Sequence, residues 1–334
     1  MTAGDVQSAG FLLDARGDTR ALDAYVVSIA WSGATPAFAL GDGTLRLADW
    51  QVVEAHNGAV LALAATPGGF VTGGDDGVFQ RVATSGERIL VHKFGSKWVE
   101  QVAAHGNSLA CAVGRAAYVF EGGALLKTLD HPSTVTGIAF DAKGKRIAAS
   151  HYNGATVWFV AAKVDSPRRL EWKGSHTGVA IHPAGDAVVT SMQENSLHGW
   201  RLADGQHMRM SGYPTKTESM EFTRNGKWLA TAGADAVVLW PFFGGGPMGK
   251  APMELAGGDS IVCTRVACHP QTEMVAAGFT DGMVVLADIA TQRILPVAPP
   301  GQGSVSALAW SPDGSRLAIG SETGFAAIID LSPQ

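Results

Sequence analysis

The sequence lacks long apolar runs and a strong charge of either sign. No run of about 18 apolar residues occurs, and the opening "MTAGDVQSAG" lacks the positive start and apolar segment of a secretory signal. Basic residues number 25 against 30 acidic ones and are spread along the chain, so no basic stripe could neutralise a phosphate backbone. We therefore expect a soluble, cytoplasmic protein that binds neither nucleic acid nor membrane.

Cysteine and catalytic motifs are also scarce. The three cysteines, Cys111, Cys263 and Cys268, form no CxxC pair, which fits buried free thiols in a reducing compartment and implies no disulfide framework. The chain contains no G-x-S-x-G, HExxH, HxH or HxxxH motif. These absences argue against an enzyme with a recognisable catalytic motif, and no cofactor is expected.

Glycine and apolar residues are abundant. The chain has 42 glycines, 46% hydrophobic residues and only 16% charged residues. This composition favours many buried strands joined by tight turns over long solvated helices. The 334 residues would allow about two domains on length alone, but internal repetition overrides that expectation.

One unit recurs along the chain: a short apolar run, a turn, a pattern close to "LAxxGxxDG" and another apolar run. Clear copies are "VLALAATPGGFVTGGDDGVFQRV" from Val60 and "VSALAWSPDGSRLAIGSETGFAAIID" from Val305. Such repetition is typical of architectures that stack small structural units. We count eight units within one domain over 1–334, near 25–54, 55–93, 94–130, 131–172, 173–213, 214–257, 258–299 and 300–334.

Two turns keep their phase across the copies. The first turn usually carries a glycine, which supplies the positive φ of a sharp reversal at little cost. The second carries an Asp or Asn able to hydrogen-bond backbone amides. These acidic or amide residues are Asp42, Asp76, Asn153, Asn195, Asp235 and Asp281.

The apolar runs between the turns are built from small residues without strict alternation, which indicates strands buried on both faces. Sheets that recur every 40 residues or so, bury both faces and lack helical crossovers stack radially. We therefore predict an all-β fold, a single β-propeller of eight four-stranded blades, with seven blades as the alternative.

The chain resembles the WD-repeat β-propellers over almost its whole length, as a divergent member. The resemblance rests on the turn acids, on "SPDG" at 311–314, and on a Trp or Asp that closes the third strand of several units. It implies a structural turn network in which a histidine such as His56 bonds the turn aspartate of its own unit. The Trp or Asp positions are Trp158, Trp200, Trp240, Asp288 and Asp330.

The last unit provides only three strands. WD-repeat propellers commonly complete the last blade with a strand from the N-terminus, so the resemblance implies a closing strand within 10–18. We expect residues 11–15 of "GFLLDARGD" to pair with the strand near 326–331.

Two features leave alternatives open. His56, His131 and His176 fall in connections entering first strands, where they favour structural roles but could hold a zinc-like metal or act in a hydrolytic site at the channel. "GGGPMGKA" resembles a phosphate-binding loop, yet Ala251 and Pro252 replace the required hydroxyl and helix start. We expect that loop to fold back on its own blade or to present Phe242, Phe243 and Met248 to a partner.

The connections entering first strands also carry aromatic and basic side chains of the kind that interface hot spots prefer. The resemblance implies that partners contact this rim of the channel. We therefore predict a monomeric, non-catalytic platform for a protein or peptide partner, with small-molecule or metal binding in the channel as the alternative. The rim candidates are Tyr25, Lys97, Trp98, Trp172, Lys173, Tyr213 and Lys216.

Overall fold

The computed structural model describes residues 10–258 and 260–333, and its regular structure is almost entirely antiparallel β-strand. A short helix, α1, spans Leu12–Arg16, and a 3-10 turn spans Ala48–Trp50. Within the described ranges, no helix combines the length and the apolar composition needed to span a bilayer.

Thirty strands follow one another in the described residues. The first, β1, spans Gly17–Ala21. The next three groups of four are β2 (Val26–Ser32), β3 (Thr35–Leu40), β4 (Thr44–Arg46) and β5 (Val52–Glu54); β6 (Val60–Thr66), β7 (Gly69–Gly74), β8 (Val78–Ala83) and β9 (Arg88–Lys93); and β10 (Gln101–His105), β11 (Ser108–Val113), β12 (Ala116–Glu121) and β13 (Ala124–Asp130). A group of six comprises β14 (Gly137–Phe140), β15 (Arg146–Phe159), β16 (Arg168–Ile181), β17 (Ala187–Met192), β18 (Ser196–Arg201) and β19 (His207–Ser211). The remaining strands are β20 (Met220–Phe222), β21 (Trp228–Thr231), β22 (Val237–Pro241) and β23 (Met253–Leu255); β24 (Cys263–Cys268), β25 (Met274–Phe279), β26 (Val284–Asp288) and β27 (Ile294–Ala298); and β28 (Val305–Trp310), β29 (Arg316–Ser321) and β30 (Phe325–Asp330).

These strands form seven hydrogen-bonded sheets within the described residues, six with four strands and one, β14 to β19, with six. The number agrees with the alternative of seven and not with the eight separate sheets expected from the repeats. The difference lies entirely in the six-stranded sheet, where β15 and β16 are each 14 residues long.

The long strand β15 reverses direction within its own length. His151 Nε2 lies 2.9 Å from Thr156 Oγ1, and the Val160 N–H donates to the Lys145 carbonyl at 3.0 Å. An extended chain would separate the latter two residues by roughly 50 Å. The part before Tyr152 pairs with β14 and the part after it pairs with β16, so the sheet contains more strand segments than its strand count suggests.

The predicted closing strand at residues 11–15 is wrong in position. That segment is helix α1, whose Leu13 is buried against Val297, Leu317 and Ile329. The strand that pairs with β30 is β1, with Gly17 opposite Ile329 and Ala21 opposite Phe325. Every residue of β1 is exposed, so this outer strand needs no apolar residues. The apolar residues at 11–13 belong instead to the segment of helix α1, which packs beside the strand.

The core lies between neighbouring sheets. Val71 and Phe79 of one sheet, for example, pack with Leu109 and Phe120 of the next. Strand contacts run in chain order from β2 through β6, β10, β14, β16, β20 and β24 to β28, and β28 of the last sheet contacts β2 of the first. Side chains that face both ways into such clusters explain why the strands lack strict polar–apolar alternation.

Candidate functional site

The connections that enter the inner strands surround one end of the channel. Tyr25 and Trp98 expose 40% and 57% of their surface there, and Lys97 is also exposed. Lys216 is half-buried and lines a cavity of about 510 Å³ with Gln101, Thr136 and other residues. These four predicted rim residues are available to a ligand in the structure.

An ion-pair bridge stands at the channel mouth. The Glu218 carboxylate lies 3.1 Å from Lys216 Nζ and 3.3 Å from Arg265 Nη1. Burial alone would raise the pKa of the Glu218 carboxyl, but hydrogen bonding to Lys216 and the charge of Arg265 outweigh it and lower that pKa. Arg265 is braced by the Ser306 and Thr264 carbonyls at 2.6 and 2.8 Å, so the bridge sits on a fixed support.

A cavity of about 880 Å³ lies between the connection at 130–133 and the sheet segments at 151–158 and 167–173. We call it the His131 cleft. His131 is buried in its wall, and its Nε2 accepts a hydrogen bond from Trp158 Nε1 at 3.1 Å. Burial, and to a smaller extent the nearby His151, lower the pKa of His131 to about 4, so the ring is neutral at physiological pH.

Aromatic and charged side chains line the His131 cleft. Tyr152 is 58% exposed, and Trp172 is half-buried with its ring stacked on a histidine at 4.0 Å between centroids. Arg169, Glu171 and Lys173 are exposed along the same strand, and no ion pair among the described residues includes any of the three. The cleft therefore offers aromatic surface together with charges of both signs.

Tyr213 does not belong to the rim surface. It is buried, its hydroxyl lies 2.6 Å from Thr231 Oγ1, and it accepts a hydrogen bond from Trp240 Nε1 at 2.6 Å. In its own sheet Tyr213 occupies the place that His131 occupies beside Trp158. The aromatic ring in "GYP" makes internal contacts, so the prediction of Tyr213 as a rim residue is wrong.

The glycine-rich loop at 244–250 folds onto the neighbouring sheet. Lys250 Nζ donates to the Phe243, Gly244 and Gly246 carbonyls, and the Arg209 N–H lies 3.3 Å from Met248 Sδ. No helix follows the lysine, because the next element is β23. Phe242 is half-buried, whereas Phe243 and Met248 keep 47% and 49% of their surface exposed.

The three histidines of the metal alternative do not converge. His56 contacts Asp76 Oδ1 and Thr72 Oγ1 at 3.0 and 2.9 Å, and His176 contacts Thr190 Oγ1 at 2.7 Å. Each of these histidines makes its hydrogen bonds within its own sheet, as His131 does. Within the described part of the chain, no group of three or more His, Cys, Asp or Glu side chains is arranged to hold a metal ion.

The turn residues make short-range contacts. Burial opposes ionisation of Asp76, but hydrogen bonds from His56 and from the Asn57 and Val78 amides outweigh it and lower the pKa of its carboxyl. The other turn residues act locally as well. Asp42 and Asp281 accept from Thr44 N and Met283 N, Asn153 accepts from Gly174 N, Asn195 donates to the Pro214 carbonyl, and the Asp235 carbonyl accepts from Gly258 N.

Several other histidines join neighbouring sheets at the opposite face. The Nε2–H groups of His105, His182 and His269 donate to carbonyls in the first turn of the next sheet, at Ala142, Gly226 and Gly314. The distances are 3.2, 2.9 and 3.2 Å. The sequence carries no motif for this use of histidine, and Tyr152, Glu218 and Arg265 follow no spacing that links them to the predicted rim residues.

Comparisons with known proteins agree with this architecture. A family described as the anaphase-promoting complex subunit 4 WD40 domain matches residues 266–333. Two solved structures share the fold: the computationally designed Ika8 protein (TM-score 0.78, 19% identity, 93% of this chain and 98% of that one) and the C-terminal WD40 domain of Sif2 (TM-score 0.74, 13% identity, 94% and 99%).

Curated relatives match over shorter stretches. Telomerase protein component 1 of Mus musculus is 26% identical over 58% of this chain and 7% of its own length. The LST8 homolog of Drosophila melanogaster is 27% identical over 38% and 40%, and the 77 kDa echinoderm microtubule-associated protein of Strongylocentrotus purpuratus is 30% identical over 31% and 14%. The chain thus spans less than half the length of each of these relatives.

Antiparallel sheets that pack face to face around a channel define a β-propeller. The match to one WD40 family model over 266–333, and the similarity to the curated relatives and to a solved WD40 domain, support a WD-repeat β-propeller.

Proposed function

We propose that the chain is a non-catalytic interaction platform that holds a peptide segment of a protein partner in the His131 cleft. The observation that carries the proposal is the cleft itself, about 880 Å³ in volume, with exposed Tyr152 and the charged side chains of Arg169, Glu171 and Lys173. A pocket of this size holds several peptide residues, and aromatic and Arg side chains contribute most of the energy at interfaces.

The names of similar proteins support this role. The matching family is a subunit of a complex, and two relatives are named as a telomerase component and as a microtubule-associated protein. Those names describe parts of larger assemblies, which is the setting in which an interaction platform acts. The channel mouth at Tyr25, Lys97, Trp98 and Lys216 would extend the contact surface beyond the cleft.

Affinity purification from the native host, with mass spectrometry of captured proteins, tests the proposal. A Tyr152→Ala/Lys173→Glu chain should lose a partner that the wild type retains. A Phe159→Ala/Lys163→Glu chain is the matched control, because it removes one exposed aromatic ring and reverses one exposed charge outside the cleft lining. Equal capture by the wild type and the cleft variant would reject the proposal.

We further propose that the protein acts in the cytoplasm as a monomer, without a cofactor and without binding nucleic acid. The three cysteines are free and buried, which suits a reducing compartment, and the net charge of −5 disfavours phosphate backbones. Cell fractionation, light scattering of the purified chain and a nucleic-acid gel-shift assay check these points.

A further inference from the structure

Two side-chain donors in the His131 cleft have no hydrogen-bond partner among the described residues. They are the Trp172 indole N–H and the Tyr152 hydroxyl, both on aromatic rings that line the cleft. The neighbouring Trp158 is already engaged, because its Nε1 donates to His131 Nε2. Trp172 is half-buried, but its indole nitrogen remains accessible to solvent. The cleft therefore presents two unused donors to a ligand.

The Trp172 ring is fixed before any ligand binds. It stacks on His198, with 4.0 Å between ring centroids and 13° between ring planes, and it also contacts His207 at 5.4 Å between centroids. Tyr152 is anchored through its backbone, whose N–H donates to Ser133 Oγ at 2.8 Å, while its ring is exposed. Orienting the indole N–H therefore costs little further entropy when a ligand binds.

The two donors suit a peptide backbone that offers carbonyls and few N–H groups. A polyproline II helix has no internal hydrogen bonds, so its carbonyls are free to accept, and its prolines bring no N–H that needs an acceptor. Aromatic-lined grooves bind such segments, and the preformed helix loses little entropy on binding.

The prolines of the cleft wall disfavour the other common mode, the addition of a β-strand. An added strand needs a continuous ladder of N–H and C=O groups along the wall. Pro132 and Pro167 line the cleft and have no N–H to contribute to such a ladder. A ligand held by side-chain donors and aromatic rings does not need one.

We propose that the peptide segment held by the His131 cleft is proline-rich and binds as a polyproline II helix, an inference that rests on the function proposed above. Trp172 Nε1 and the Tyr152 hydroxyl donate to carbonyls of the segment, and its proline rings pack against the two aromatic rings. Charges of both signs also line the cleft, so an uncharged oligoproline isolates the contribution of the rings and the donors.

Calorimetric titration with a peptide of ten prolines, acetylated and amidated at its ends, tests the proposal at neutral pH. The wild type should bind it at least about tenfold more tightly than an alternating Gly-Ser or Thr-Gln peptide of the same length, because the polyproline helix is preformed. Trp172→Phe and Tyr152→Phe each remove one donor and keep an aromatic ring. Each should weaken binding about two- to tenfold, which corresponds to one hydrogen bond.

Trp98→Phe is the matched control. Trp98 exposes an indole at the channel mouth and does not line the cleft, so this change should leave the affinity unchanged. Tyr152 is exposed, so Tyr152→Phe keeps the fold, and circular dichroism verifies folding of all three variants. Equal affinity for the three peptides, undiminished affinity in Trp172→Phe or Tyr152→Phe, or an equal loss in Trp98→Phe would overturn the proposal.

Failure of this inference is distinguishable from failure of the proposed function. If the Tyr152→Ala/Lys173→Glu chain loses its captured partner but the wild type does not bind the proline peptide, the cleft holds a segment of another kind and the proline assignment is wrong. Equal capture by the wild type and the cleft variant would reject the platform role of the cleft, whatever the calorimetry gives.

Discussion

Acidification should destabilise the protein through its buried neutral histidines. The folded-state pKa of His131 is about 4, and the ordinary value is 6.5. The unfolded chain therefore takes up this proton first as the pH falls below 6.5. Stability from the neutral ring is complete above that pH and is lost progressively down to about pH 4.

The size of the effect follows from the two pKa values. At pH 5 the loss from His131 is about 2 kcal/mol, a large part of the ~5–15 kcal/mol that stabilises an ordinary domain. Glu221 acts in the opposite direction, because burial raises the pKa of its carboxyl to about 7. The carboxyl group is desolvated although the residue as a whole is exposed.

Urea unfolding followed by tryptophan fluorescence between pH 7 and pH 5 measures the loss. Both chains contain Glu221, so its contribution cancels when the wild type is compared with a variant. Between pH 7 and pH 5, His131→Gln should lose about 2 kcal/mol less of its free energy of unfolding than the wild type does. His92→Gln, the matched control, should lose as much as the wild type. The reasoning is refuted if the wild type and His131→Gln show the same pH dependence.

Three substitutions test the packing. Gly226→Ala should cost about 1–3 kcal/mol, because φ is +70° and the added Cβ would overlap the His182 ring; an unchanged urea midpoint would contradict this. Leu13→Ala should cost about 2–5 kcal/mol if α1 is part of the folded core, and a loss below 1 kcal/mol in thermal unfolding would show that the helix is dispensable. Tyr213→Phe should cost about 1–3 kcal/mol by leaving the Trp240 indole N–H unpaired, whereas a purely superficial Tyr213 would tolerate the change.

The fold was predictable because the signal is repeated. Turn glycines such as Gly226 and Gly314, and turn acids such as Asp76, recur at the same place in successive repeats. A strand that is assigned wrongly in one repeat can therefore be corrected by comparison with the other repeats. The N-terminal strand occurs once and offered no such check. Its residues are all exposed, so the apolar run at Leu12 and Leu13 pointed to the wrong segment.

The site was predictable only in part, because its residues depend on which sheets neighbour one another. Trp172 and Lys173 were selected from their connection and do line the His131 cleft. Tyr152 lies in a different turn of the same sheet, and nothing in linear spacing links it to them. The prediction for Tyr213 is wrong because its ring takes the place of a buried histidine. In the sequence, such an aromatic side chain stands in the same connection as an exposed aromatic side chain and cannot be told from it.

The pairing of β1 with β30 has a consequence for biosynthesis. The Arg16 side chain donates to the Ser332 carbonyl, 316 positions along the chain. A ribosome makes β1 long before its partner strand, so β1 must wait unpaired while every other sheet is assembled. During that interval the nascent chain presents an unpaired strand, so translation speed and chaperone access affect the yield of folded protein.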